Sequence, residues 1–163
     1  MRRRASPLRL SPASPVSRRA SLEAGLAGAA LSGLPSTVLT LARGEDLLDG
    51  ARAAGAIVLP GERRTWVLLA AATPVHLALS LGWAGVLARV LPRGREPLWG
   101  AVAGLGIAAL DLGVIGRRIP AIRALPQGRQ WADHLAFGLT VGLVLRARRA
   151  DDRSVSSPAG SGG

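Results

Sequence analysis

Four ionisable side chains stand inside or at the edge of long apolar runs: His76 in "TPVHLALSLG", Asp111 in "AALDLGVIG", and Asp133 with His134 in "WADHLAFG". Imidazoles and carboxylates of this kind relay protons, hold a divalent metal as two His and one acid, or, as two His, ligate a haem. Position along the runs decides among these. Taking Trp66 and Trp131 as interfacial anchors, His134 lies ~5 Å below one interface, Asp111 ~8 Å and His76 ~15 Å, at 1.5 Å per helical residue. A metal site needs all three in one coordination sphere, and a bis-His haem needs its imidazoles nearly level. The stagger argues against both, so no metal and no cofactor is expected. Asp111 and His134 are close enough in depth to pair. His76 is expected to bond a hydroxyl such as Ser36 or Thr40, and Asp133, near Trp131, is expected to reach the interface.

Spacing also says which way these residues face. His134, Gly138 and Gly142 recur every four residues, as do Ala72, His76, Ser80 and Ala84. Asp111 follows Ala108, Gly104 and Gly100 at offsets that share a helical face. Small residues let membrane helices approach closely, so Gly100, Gly104, Gly138 and Gly142 are read as packing positions and the polar residues beside them as aimed into a bundle. The first run has its own small stripe, Gly25, Ala29 and Gly33, and a kink expected at Pro35. Two roles follow for His76, Asp111, Asp133 and His134: a polar cluster that fixes helix register, or a proton or solute path with His76 as a relay. Enzyme chemistry finds no motif. There is no Cys among the 163 residues and no Ser in a nucleophile elbow, so no catalytic residue is named.

The elements that must hold these residues are apolar helices. Charged residues make up 19% of the chain, below the ~25% of soluble domains, and mean hydropathy is +0.29. Apolar segments span about residues 22–42, 65–91, 98–116 and 131–148, the last apolar only from Trp131 to Leu145. A span needs roughly 20 residues. The first three meet this, and the fourth borrows length from Gln130 and a snorkelling Arg146. "VLLAAATPVHLALSLGWAGVLA" lacks the polar face every 3.6 residues that a soluble bundle would show. The reading is all-α: an integral membrane domain of four transmembrane helices over residues 22–148, between a disordered basic tail, residues 1–21, and a disordered tail, residues 149–163. The basic tail also has the Arg- and Ser-rich, acid-poor composition of an organelle transit peptide. Of the linkers, "EDLLDGARAAG" patterns as an amphipathic helix stopped by Pro60 and Gly61, and "RRIPAIRALPQGRQ" as a second interfacial segment.

The net charge of +11 comes from 21 Arg and no Lys, spread over tails and loops without aromatic interleaving. Membrane flanks account for this better than nucleic acid, and no nucleic-acid partner is expected. With four spans, thirteen Arg fall on the side of the two tails and the Arg89–Arg95 loop, and eight on the other side. The Arg-rich side is cytoplasmic by the positive-inside rule.

The stretches "PVHLALSLGWAGVLARVLPR", "ALDLGVIGRRIPAIRALP" and "ADHLAFGLTVGLVL" resemble a group of small uncharacterised multi-pass membrane proteins of GC-rich bacteria. The resemblance covers about residues 22–148. It implies a four-helix protein of the bacterial inner membrane and no activity. The expected function is a non-enzymatic structural or accessory membrane protein, in contact with the lipid bilayer and in a homo-oligomer or larger membrane complex. The alternative is a small, dimeric transporter or proton-conducting module using His76, Asp111 and His134.

Overall fold

A computed structural model describes residues 17–156. Among them the structure is all helix and turn: α1 (Arg18–Leu31), α2 (Leu34–Ala42), α3 (Asp49–Val58), α4 (Thr65–Val90), α5 (Glu96–Leu110), α6 (Pro120–Arg123) and α7 (Gln127–Ser156). A π turn, Asp111–Ile115, and a 3-10 turn, Gly116–Arg118, extend α5. Three stretches are long and apolar enough to cross a membrane: Arg18–Ala42, Thr65–Val90 and Glu96–Arg118. The helix at Gln127–Ser156 does not reach that standard, because Asp133 and the Arg from Arg146 onward leave only residues 135–145 free of ionisable side chains.

Several boundaries differ from those expected. The first helix starts at Arg18, within the stretch assigned to a disordered tail. Ser17 caps it, its hydroxyl accepting from Ala20 N at 3.1 Å, and Arg19 pairs with Glu23 one turn on. Residues 1–16 of that tail lie outside the described residues. At the other end α7 continues to Ser156, so residues 149–156 are helical where a disordered tail was expected. Arg148 pairs with Asp151 at i,i+3, and Arg153 Nε donates to Arg149 O at 3.1 Å. The remainder, residues 157–163, lies outside the described residues. At the kink expected at Pro35, two turn residues, Ser32 and Gly33, interrupt the helix between α1 and α2 while keeping near-helical backbone angles.

The four long elements run antiparallel to their neighbours, in the order α5, α7, α1 and α4. The core lies where they meet, at Ala24, Ala84, Leu87, Ile107, Phe137, Val141 and Leu145. Two kinds of contact set the distances. Between α5 and α7 the backbones touch: a Cβ on Gly100 would strike Gly138 O, one on Gly104 would strike His134 O, and one on Gly142 would strike Glu96 O. Between α1 and its neighbours, Gly25 faces Leu81 and Ala84, and Gly28 faces Phe137. Lipid tails are as apolar as Leu, so close van der Waals contact through glycine is what makes such helices associate.

The linker helix α3 lies against α4, with Gly55 on the Leu68 carbonyl. Leu47 and Leu48 are exposed before it, and Arg52 is held by Asp46 and Asp49, each at 2.5 Å. Gly61 then takes φ +89°, a left-handed conformation that the turn into α4 requires.

Candidate functional site

A helix interrupted inside an apolar layer leaves backbone groups that hydrocarbon cannot satisfy. Pro35 lacks an N–H, and its ring obstructs a straight continuation from Leu31. Ala29 O and Ser36 N flank the resulting break. His76, on α4, sets Nε2 2.9 Å from Ala29 O. Asp133, on α7, sets Oδ1 2.9 Å from Ser36 N. Two residues that look misplaced in the sequence thus serve the two sides of one interruption. A carbonyl only accepts, so Nε2 of His76 carries the hydrogen, and Nδ1 is the acceptor of the neutral ring.

These contacts correct one expectation and add to another. His76 bonds a backbone carbonyl rather than the hydroxyl of Ser36 or Thr40, because the break frees Ala29 O one helical turn away from its usual partner. Asp133, expected to reach the interface, is half-buried against α2, where its carboxylate accepts from Ser36 N.

A second irregularity lies at Asp111, where α5 passes into the π turn and Gly116 N donates to Asp111 O. Such turns widen a helix and accompany functional or strained positions. The Asp111 Oδ2 atom lies 3.4 Å from His134 Nε2. On the opposite side of the imidazole, Nδ1 lies 2.8 Å from Gln130 O and must be the donor there. A hydrogen bond between Nε2 and Oδ2 then requires one further proton, held on either atom. Asp111 and His134 are therefore brought together, with Asp133 one residue before His134. The structure gives His76 a different setting, the groove between α1 and α4. Among the described residues no group of three His, Asp or Glu is disposed to hold a metal ion.

Two polar clusters at the ends of α7 were not anticipated. Glu96, 2% exposed, receives Arg149 Nη1 on Oε1 at 2.8 Å. Arg149 also donates to Ala88 O at 2.9 Å and Leu91 O at 3.3 Å, capping the end of α4. At the other end Arg129, 8% exposed, donates to Thr40 Oγ1 at 2.8 Å and pairs with Glu45. One signal was available for Arg149: it lies seven residues after Gly142, on the stripe that carries Gly138 and Gly142. Nothing comparable marked Arg129.

Outside the apolar segments, the turn into α4 is tied by charge. Glu62 accepts from Arg63 N and Arg64 N, each at 2.8 Å, and from the Arg64 guanidinium. The Arg64 side chain, with these backbone donors, holds the Glu62 carboxyl at about 2. Arg64 also lies over Trp66, 5.6 Å from the ring centroid, at the level where an aromatic anchor is expected.

Comparison with known protein families, with curated proteins and with solved structures finds no match for the chain.

Proposed function

We propose that this is a non-enzymatic integral membrane protein of structural or accessory role, with four spans, in the cytoplasmic membrane of a bacterium. The observation that carries the reading is the engagement of its intramembrane polar groups. His76, Asp133, His134 and Arg149 each bond a group on another helix or at a backbone interruption. Polar residues used this way fix the register of helices that have no hydrophobic force between them.

Register supports counting α7 as a fourth span. Asp133 is level with Ser36 near one end of the first span, and Arg148 with Glu23 near the other. A helix so aligned crosses the same thickness as its neighbours, its short apolar length covered by them at both ends. Both termini then share the Arg-rich, cytoplasmic side. The bilayer is the partner this surface fits, alone or with further copies or a larger complex.

The second reading is a small proton- or solute-conducting module, and the Asp111–His134 pair favours it. A His facing a carboxylate at a π turn is a pairing that proton relays use. Reconstitution separates the two. Vesicles carrying the protein under an imposed pH gradient should leak protons no faster than empty vesicles. A flux that His134→Gln abolishes would establish the second reading in place of the first.

A further inference from the structure

The break in the first span leaves one hydrogen-bonding function unaccounted for. His76 Nε2–H is committed to Ala29 O, and Nδ1 makes no hydrogen bond to any described residue. His76 lines a groove of about 510 Å³ between α1 and α4, running from Ala51 of α3 down to Leu77. Its walls are Leu26, Ala30, Leu69 and Ala72, and its one hydroxyl, Thr73 Oγ1, gives its hydrogen to Leu69 O at 3.0 Å. The groove is therefore apolar, with acceptors at His76 Nδ1 and Thr73 Oγ1 and no free side-chain donor in its lining.

Acyl chains fill the walls of such a groove but offer nothing to either acceptor, and an unmet acceptor in hydrocarbon costs free energy. We propose that the α1–α4 groove binds a small apolar molecule bearing a hydroxyl or phenol donor, which gives its hydrogen to His76 Nδ1. The complementarity is specific in sign. His76 can accept only while Ala29 O fixes the hydrogen on Nε2, so the break in α1 selects a donor and refuses an acceptor such as an ether or ketone. The volume is within the roughly 300–1,000 Å³ of small-molecule sites. The proposal rests on the first two apolar spans and holds whether the protein is structural or conducting.

The test uses the full chain in lipid nanodiscs, labelled with 15N at histidine, with a short-chain alkyl hydroquinone as the probe and its dimethyl ether as the matched control. The His76 Nδ1 resonance, assigned by comparison with His134→Gln, should move saturably with hydroquinone and stay unchanged with the ether. A hydrogen bond of this type should give the hydroquinone roughly 3- to 10-fold tighter binding than the ether. His76→Leu should erase that ratio. His76→Gln, which keeps a donor for Ala29 O and an acceptor for the ligand, should retain part of it. Equal binding of both probes with an unmoved Nδ1 would overturn the proposal and leave only a lipid-filled groove. An Nδ1 found protonated before any addition would overturn it too. So would an Nδ1 shift that appears without ligand and follows the protein-to-lipid ratio, which would assign the groove to a second copy of the chain.

Discussion

At the scale of single residues, the pairs are where free energy is concentrated. Asp111 and His134 face each other across α5 and α7, so replacing either leaves the other, part-buried, without its partner. Asp111→Asn and His134→Gln should each lower thermal stability in detergent, and the double variant should lose less than the sum. A coupling of roughly 0.6 to 1.7 kcal/mol is the range for such bonds between membrane helices. Strict additivity would mean that the two do not interact in the folded protein. Glu96 and Arg149 should show the same pattern more strongly: removing half-buried Arg149 strands buried Glu96 and uncaps the end of α4, at about 3 to 5 kcal/mol, and removing Glu96 costs less. Glu62 belongs to the surface. Its carboxyl is depressed from 4.5 to about 2, so the link it makes to Arg64 is complete above 4.5 and is lost only as pH falls through about 2. A side-chain carboxyl titration followed by NMR should place its midpoint there; a midpoint near 4.5 would show the Arg64 contact absent in solution.

At the scale of elements, glycine decides which helices touch. Gly104→Leu and Gly138→Leu each put a branched side chain where a neighbouring carbonyl already sits, and should cost at least about 2 kcal/mol. Gly106→Leu, two residues along α5 where a side chain meets open space, should cost little and is the matched control. Equal melting temperatures for the three variants would remove the α5–α7 contact. These positions were legible in the sequence because four-residue spacing of small residues has one geometric meaning on a helix. The interruption in the first span was legible as a kink at Pro35, but Pro35 marks the obstruction and not what answers it. Which residue serves a broken backbone depends on how α4 and α7 stack against α1, and that is set by contacts far apart in the chain. The same reason hid Glu96 and Arg129, whose partners lie 53 and 89 residues away. The π turn at Asp111 has no compositional mark at all.

At the scale of the molecule, α7 is the helix to which the others are tied. It meets α5 along its glycines, α1 and α2 through Phe137, Val141 and Asp133, and the end of α4 through Arg149. The count of spans can be read directly, because the chain lacks Cys and accepts single reporters cleanly. Arg63→Cys should be labelled by an impermeant thiol reagent in intact cells, and Ser154→Cys should not. The reverse pattern would invert the orientation. Labelling of only one residue out of Ser21→Cys and Ser154→Cys would put the two ends of the bundle on opposite sides and reduce the count to three.

The short apolar stretch of α7 has a consequence for where such a protein can reside. Residues 135–145 cover only ~16 Å at 1.5 Å per residue, against a hydrocarbon layer of ~30 Å. Leu135, Leu139 and Leu143 of this stretch are exposed, so lipid beside them meets a narrow apolar band, while lipid beside α4 meets a full one. The mismatch is one-sided. On the four-span reading proposed above, a bilayer around this bundle slopes, thinner along α7 and thicker along α4, at fractions of a kcal/mol per ångström. Such a wedge favours short-chain lipids on one flank, and draws together molecules whose thin flanks can share a single patch of compressed membrane. In vesicles graded by acyl-chain length, melting temperature should rise as the chains shorten, and fluorescence transfer between labelled copies should rise as they lengthen.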